Sequence, residues 1–194
     1  MGKIFYISDT HFGHANIIRF DERPFSSVEQ MEETIVNNWN NVVTNQDDVY
    51  ILGDFCWSKD ENEWLRLLNR LNGRKFLIKG NHDLKQYSQK LKNALHDIKE
   101  YKEIKDGDRS IIMCHYPILF YRSSYDDKKW MFCGHTHNRT EEELARQKIV
   151  RQFVDEKQMN KGHIINVGCM MDYMRYTPRT ADELIAWWHE NYGV

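Results

Sequence analysis

The chain has 194 residues, 41% of them hydrophobic and 29% charged, and a formal net charge of −2 at pH 7. This is the balance of a water-soluble globular protein, long enough to bury a substantial core in one domain over residues 1–194. It excludes a helical membrane span, since no apolar run approaches the ~20 residues a bilayer needs, and it supplies no global charge for gripping nucleic acid or an anionic membrane.

The N-terminus, from Met1, enters a strand-like run at once, Ile4 to Ser8. It lacks the apolar core and small-residue cleavage site of a signal peptide, so a cytoplasmic location is expected. Asp9-Thr10-His11 follows directly, with His14 three residues on. Val28, Met31, Ile35, Trp39 and Val42 recur at spacings of three and four and predict a helix, opened by the capping box Ser26-X-X-Glu29. The next strand, Val49 to Leu52, runs into Gly53-Asp54. Asp60-X-X-Glu63 opens a second helix carrying Trp64, Leu65, Leu67, Leu68 and Leu71, with Gly73 to end it. The strand Lys75 to Lys79 is followed by Gly80-Asn81-His82-Asp83, and Leu84, Tyr87, Leu91 and Leu95 mark a third helix.

Ile98 to Lys105 alternates in polarity, and Asp106-Gly107 turns it into the run Ser110 to Cys114, which predicts an antiparallel hairpin. His115 comes next. The strand Trp130 to Cys133 leads into Gly134-His135-Thr136-His137. Thr140 to Lys161 is highly charged, with Leu144, Ile149, Val150, Phe153 and Met159 as its apolar residues, and a helix, a hairpin or a surface excursion would each fit. Ile164 to Val167 is the last apolar strand, and Thr180-X-X-Glu183 opens a helix with Leu184, Ile185 and Trp188. Strands alternating with helices, plus one antiparallel pair, make the fold α/β. The four cysteines, Cys56, Cys114, Cys133 and Cys169, form no Cys-X-X-Cys pair and read as reduced core thiols.

Five of the six apolar strands end on metal-capable residues. In an α/β sheet the carboxyl ends of strands form one rim where ligand sites collect. Asp9, His11, Asp54, Asn81, His115, His135 and His137 can therefore converge although they are far apart in sequence. They offer carboxylate, imidazole and amide donors and no thiolate, which suits Mn²⁺, Fe, Zn²⁺ or Ni²⁺. Seven donors exceed the need of one tetrahedral ion. With one carboxylate shared they supply two ions with four protein ligands each. Two such ions, roughly 3.5–4 Å apart, would lower the pKa of a bridging water and clamp the oxygens of an in-line displacement at phosphorus. Gly53, Gly80 and Gly134 let the backbone leave the strand sharply and let metal or substrate come close.

The ordered set D-x-H, G-D, G-N-H-D, H and G-H-x-H, from Asp9 to His137, resembles the calcineurin-like metallophosphoesterases. The resemblance implies two facing mixed β-sheets flanked by helices, a four-layer αββα sandwich. It implies that Asp9, His11 and His137 hold one divalent ion, that Asn81, His115 and His135 hold the other, and that Asp54 bridges them. Mn²⁺ is the first expectation. His82 resembles the family's catalytic histidine, which would protonate the leaving oxygen or neutralise phosphoryl charge, and Asp83 would orient it or cap the following helix. The implied reaction is hydrolysis of a phosphomonoester or phosphodiester by a metal-bridging hydroxide, with a small phosphorylated molecule or nucleotide as partner. A metal-dependent nuclease is the alternative within that chemistry, disfavoured by the charge. A scaffold or binding module on the same fold is the alternative outside it, and lost ligands would mark it.

Substrate contacts are expected from His14 and from two loops. Phe120 to Lys129 carries Tyr121, Arg122, Tyr125, Lys128 and Lys129 and would overhang the metals or remain a solvated connection. Met170 to Arg179 carries Arg175, a candidate for pairing with phosphate.

Overall fold

The computed structural model describes residues 2–138, 140–156 and 162–192. Two sheets face one another. The first has strand order β4-β3-β2-β1-β9, from β1 (Ile4–Ile7), β2 (Asp48–Ile51), β3 (Arg74–Ile78), β4 (Leu95–Lys99) and β9 (Arg179–Thr180). The second has order β5-β6-β7-β8, from β5 (Tyr101–Asp106), β6 (Arg109–Cys114), β7 (Lys129–Cys133) and β8 (Ile164–Asn166). β1 to β4 are parallel and β9 is antiparallel to β1, while β5 is antiparallel to β6 and the rest of that sheet is parallel. Both sheets are mixed, as expected.

Parallel neighbours need crossovers, and in the first sheet helices supply them. α1 (Ala15–Phe20) and α2 (Val28–Val42) join β1 to β2, α3 (Glu61–Arg70) joins β2 to β3, and α4 (Gln89–Ala94) joins β3 to β4. α5 (Glu141–Asp155) precedes β8, and α6 (Ala181–Tyr192) closes the described chain. Among the described residues no helix is long and apolar enough to cross a membrane.

Side chains alternate between the faces of each strand, and this sets the layers. Tyr6, Tyr50 and Phe76 stack across β1, β2 and β3, and Tyr6 meets Phe132 of β7 edge to face at 4.9 Å between ring centroids. In the second sheet Ile111, Met113, Trp130, Phe132 and Ile165 join this main core, whereas Ile112, Met131, Cys133 and Ile164 pack with Val150 of α5 in a separate cluster. Each fully buried large side chain contributes about 1.5–3 kcal/mol of apolar transfer.

The sequence expectations hold with local shifts. Thr180 and Glu183 form the reciprocal box: Glu183 N donates to Thr180 Oγ1 at 3.3 Å, and Thr180 N donates to Glu183 at 2.8 Å. At α2 the cap moves one residue, to Ser27, whose hydroxyl accepts from Gln30 N at 3.2 Å while Gln30 bonds back to Ser26. The third helix is shorter than its apolar spacing predicts. Ser88 caps it at 3.2 Å from Leu91 N, so Leu84 and Tyr87 lie in the preceding loop and Leu95 opens β4. The run Ile98 to Lys105 is divided between the sheets: Ile98 pairs with Leu77, and the hairpin arm begins at Tyr101 opposite Cys114. The charged segment after Thr140 is helix α5, and Met159 and Lys161 lie outside the described residues. The four cysteines are unbridged, and Cys56, Cys133 and Cys169 are buried.

Candidate metal centre

The two sheets meet at the carboxyl end of β1. Ser8 N donates to Val167 O at 2.8 Å and Cys169 N donates to Ser8 O at 2.8 Å, so the rims of both sheets open on one place. The exits of β1 and β2 then run side by side, with Asp9 N on Gly53 O at 3.0 Å and His11 N on Asp54 O at 2.9 Å. Asp9, His11, Asp54 and His135 all take positive φ, at 55°, 49°, 51° and 71°. Asp and His tolerate this region better than most residues, yet each still costs about 1 kcal/mol or more, and the cost is concentrated at the site.

The turns bring all seven expected donors together. Nε2 of His11 and Nε2 of His137 are 3.3 Å apart, and Asp9 Oδ1 is 3.4 Å from the latter. The Asn81 side-chain oxygen lies 3.0 Å from His115 Nε2 and 3.0 Å from His135 Nδ1. Between these groups, Oδ2 of Asp54 stands 3.7 Å from His11 Nε2 and 3.6 Å from His115 Nε2. Donor atoms of Asp9, His11 and His137, and of Asp9, Asp54 and His115, fall within 4.8 Å of one another.

Outer partners fix the rings. His115 Nδ1 is 2.7 Å from Leu52 O, leaving Nε2 to face Asn81. His137 Nδ1 is 2.7 Å from Asp21 Oδ1, a carboxylate–histidine arrangement common behind metal ligands. Arg23, 4% exposed, bonds Asp21 at 2.9 Å and reaches Asp9 O at 2.9 Å and Thr10 O at 3.0 Å. Thr136, between two donor histidines, donates to Glu143 of α5 at 2.7 Å, and Arg146 neutralises that buried carboxylate. Asp21, Arg23, Glu143 and Arg146 belong to no motif of the sequence, and only spatial contact identifies them.

Two buried carboxylates and the imidazoles around them shift one another. Burial raises the Asp54 carboxyl above its ordinary value, and Asp9 adds to this against the opposing pull of His115. Burial works the same way on Asp9, but the hydrogen bond from His137 and the nearby His115, His137 and His11 hold its carboxyl below the ordinary range. Burial lowers His11 well below its ordinary value. For His137 burial is outweighed by Asp21 and Asp9, which raise it to about 10. Two buried carboxylates ringed by imidazoles and one amide oxygen fit a pair of divalent ions in donor type and number.

The other expected residues are placed as follows. His82 is half-buried. Its backbone N–H donates to Asp54 Oδ1 at 2.9 Å, and its ring centroid is 5.9 Å from that of His11. Asp83 does not orient His82. Its carboxylate accepts from Gly80 N at 2.8 Å, Phe55 N at 2.9 Å and Asp54 N at 3.1 Å, and so clamps the loop after β2 to the loop after β3. Burial raises its carboxyl to about 6. His14 is 8% exposed and stacks on Trp57. Arg175 lines a cavity of about 660 Å³ shared with Asp21, Asn138, Met171 and Tyr176, which adjoins the centre through the Asp21–His137 contact.

Arg122 is not brought to the centre. Its neighbour Tyr121 is anchored by its hydroxyl to Lys129 O and His163 O, at the amino ends of β7 and β8, opposite the rim that carries the seven candidate donors. Arg122 pairs instead with Glu103 on edge strand β5, at 3.8 Å. Of the two readings of this loop, the solvated connection is the one that Arg122, largely exposed, fits.

Residues 3–181 match the calcineurin-like phosphoesterase superfamily domain. The chain is 37% identical over 186 residues to the uncharacterized protein MJ1445 of Methanocaldococcus jannaschii, covering 95% of this chain and 90% of that protein. It is 27% identical over 164 residues to the gene 66 protein of Mycobacterium phage L5, covering 71% and 79% of the two. Among solved structures it resembles AQ665 of Aquifex aeolicus, a protein of unknown function, with 28% identity and a TM-score of 0.61 over 96% of this chain and 100% of that one.

Proposed function

The chain belongs to the calcineurin-like phosphoesterase superfamily, and on that premise we propose that it is a two-metal phosphoesterase acting on a phosphomonoester or phosphodiester of a small molecule. The observation that carries this reading is the position of Asp54 Oδ2, nearly equidistant from His11 Nε2 at 3.7 Å and His115 Nε2 at 3.6 Å. A carboxylate oxygen at a like distance from one histidine of each group supports Asp54 as the shared ligand. Asp9, His11 and His137 would hold one ion, Asn81, His115 and His135 the other, and Asp54 both, with Mn²⁺ as the first candidate.

Bound ions of this kind supply Lewis acidity, lowering the pKa of coordinated water and neutralising phosphoryl charge. The protein's own groups do the rest. Asp83 holds the Asp54 and Gly80 loops in fixed relation through three backbone N–H groups. Asp21 fixes the His137 ring so that Nε2 faces Asp9. The His82 imidazole is half-buried beside His11 and would be the group that donates to the leaving oxygen.

The test is hydrolysis of p-nitrophenyl phosphate and bis(p-nitrophenyl) phosphate by chelator-stripped protein reloaded with Mn²⁺. Turnover should return with the metal. His82→Ala should lower kcat by about 10²–10⁴ with metal content unchanged. Metal-loaded protein inert on mono-, di- and pyrophosphate substrates would refute the reading. A rate on single-stranded DNA far above every small substrate would replace it with a nuclease.

A further inference from the structure

Trp57 stands on the rim of the metal centre and outside the core. It keeps 39% of its surface exposed, whereas Trp39, Trp64 and Trp188 are fully buried. Its backbone is pinned: Trp57 N donates to Phe12 O at 2.9 Å, and the preceding Cys56 forms a parallel bridge with Phe12. Its indole lies flat on the His14 imidazole, with centroids 3.8 Å apart and planes at 6°. His14 is itself 8% exposed, and its Nδ1 is buried with no hydrogen-bond partner among the described residues. It acts as a backing plate.

The indole also adjoins the catalytic flank. Its centroid is 5.0 Å from that of His82, and the Lys59 ammonium lies 5.8 Å from the indole centroid while donating to His82 O. The rings therefore run from the metal residue His11, through His82, to Trp57. If His82 gives its proton to the leaving oxygen, the organic part of the ester departs on this side. Tyr116, on the other flank, meets His115 and His135 only edge-on, and no ring among the described residues lies parallel behind it.

A large ring that is exposed yet immobilised is preorganised for stacking, because little freedom is left to lose on binding. Resting on the phosphoesterase reading above, we propose that Trp57, backed by His14, seats a planar heteroaromatic ring, so that the site takes nucleoside phosphates with the phosphate at the metal residues and the base on the indole. Stacking of this kind accepts any base, since each has a π-face. The exposed Lys59 ammonium lies over the indole, 5.8 Å from its centroid, on a flexible side chain that swings aside for a stacking base and adds attraction for the anionic substrate.

The experiment compares adenosine 5′-monophosphate with ribose 5-phosphate, which has the same phosphate and sugar and no base. Binding is measured by calorimetry and tryptophan fluorescence on Mn²⁺-loaded His82→Ala protein, and KM on the wild type. The nucleotide should bind roughly 5- to 150-fold more tightly, the range base–aromatic stacking supplies, and should quench fluorescence. Trp57→Ala should bring that ratio close to one and abolish the quench, and Trp57→Phe should restore most of the ratio. A ratio near one in the wild type, or one that survives Trp57→Ala in a variant of normal metal content and Tm, would overturn the proposal. If neither compound is hydrolysed by any loaded form, the phosphoesterase reading fails separately, and the binding ratio still decides the ring seat.

Discussion

Nδ1 of His137 lies 2.7 Å from Oδ1 of Asp21 although 116 positions separate them in sequence. The contact turns His137 so that Nε2 meets Asp9 and His11. Removing the carboxylate leaves the ring free to rotate and take the wrong tautomer. Asp21→Ala should weaken Mn²⁺ at the Asp9–His11–His137 group about 10- to 100-fold. The ion served by Asn81, His115 and His135 should be less affected. Calorimetric titration of stripped protein should therefore resolve two classes of site in the variant.

Asp83 sits beside the catalytic candidate, yet its effect should fall on stability. Three buried N–H groups depend on its two oxygens. Asp83→Ala leaves them unpaired and should cost about 3 kcal/mol, roughly 10 °C in Tm. Asp83→Asn keeps one acceptor and should fall between. If Asp83 instead transferred a proton, the variants would melt normally and lose only kcat.

Much of the centre is legible in the sequence for one physical reason. Parallel strands put their carboxyl ends on one rim, so a motif behind each strand has a predictable place, and Asp9, His11, Asp54, Asn81, His115, His135 and His137 arrive together as expected. What the sequence hides is long-range or non-periodic. Asp21 and Arg23 follow α1, whose six residues are too few to show helical periodicity. Leu84 and Tyr87 imitate helical spacing, but they are loop residues packed near the core, with Tyr87 edge-on to Trp64. Trp57 reads as one more aromatic until its partner is known to be His14.

Glu143 ties α5 to the loop that carries His135 and His137 and predicts a pH dependence. It is fully buried and accepts from Arg146, Gln147, Thr136 and Asn166. Burial alone would raise its carboxyl, but the Arg146 guanidinium and these hydrogen bonds hold it below its ordinary value. A depressed folded pKa means the contribution is fully present above the unfolded value, about 4.3, and is lost as pH falls through the folded value. The urea midpoint of the wild type should thus fall more steeply on acidification than that of the Glu143→Leu, Arg146→Met double variant. Glu143→Ala alone strands Arg146 in the interior and should cost about 3–5 kcal/mol at neutral pH.

Gly134 gives the sharpest separation between backbone strain and a blocked ligand. Its φ is not positive, so alanine could adopt its backbone, yet a Cβ there would run into Ser8 Oγ and Asp9 Oδ2. The side chain it would displace is the Asp9 carboxylate, whose oxygen lies within 4.8 Å of the donor atoms of His11 and His137. Gly134→Ala should therefore cost about 1–3 kcal/mol through overcrowding and also weaken Mn²⁺ binding at least about tenfold. Gly107 is the converse: its φ is +64° and nothing lies within 4 Å of a built Cβ. Gly107→Ala should cost about 1 kcal/mol through strain and leave metal affinity untouched. Denaturation midpoints read beside Mn²⁺ titrations of the two variants decide the matter. Equal metal affinity in both would mean that Asp9 can move aside without loss, and that its placement against Gly134 is not what holds the ion.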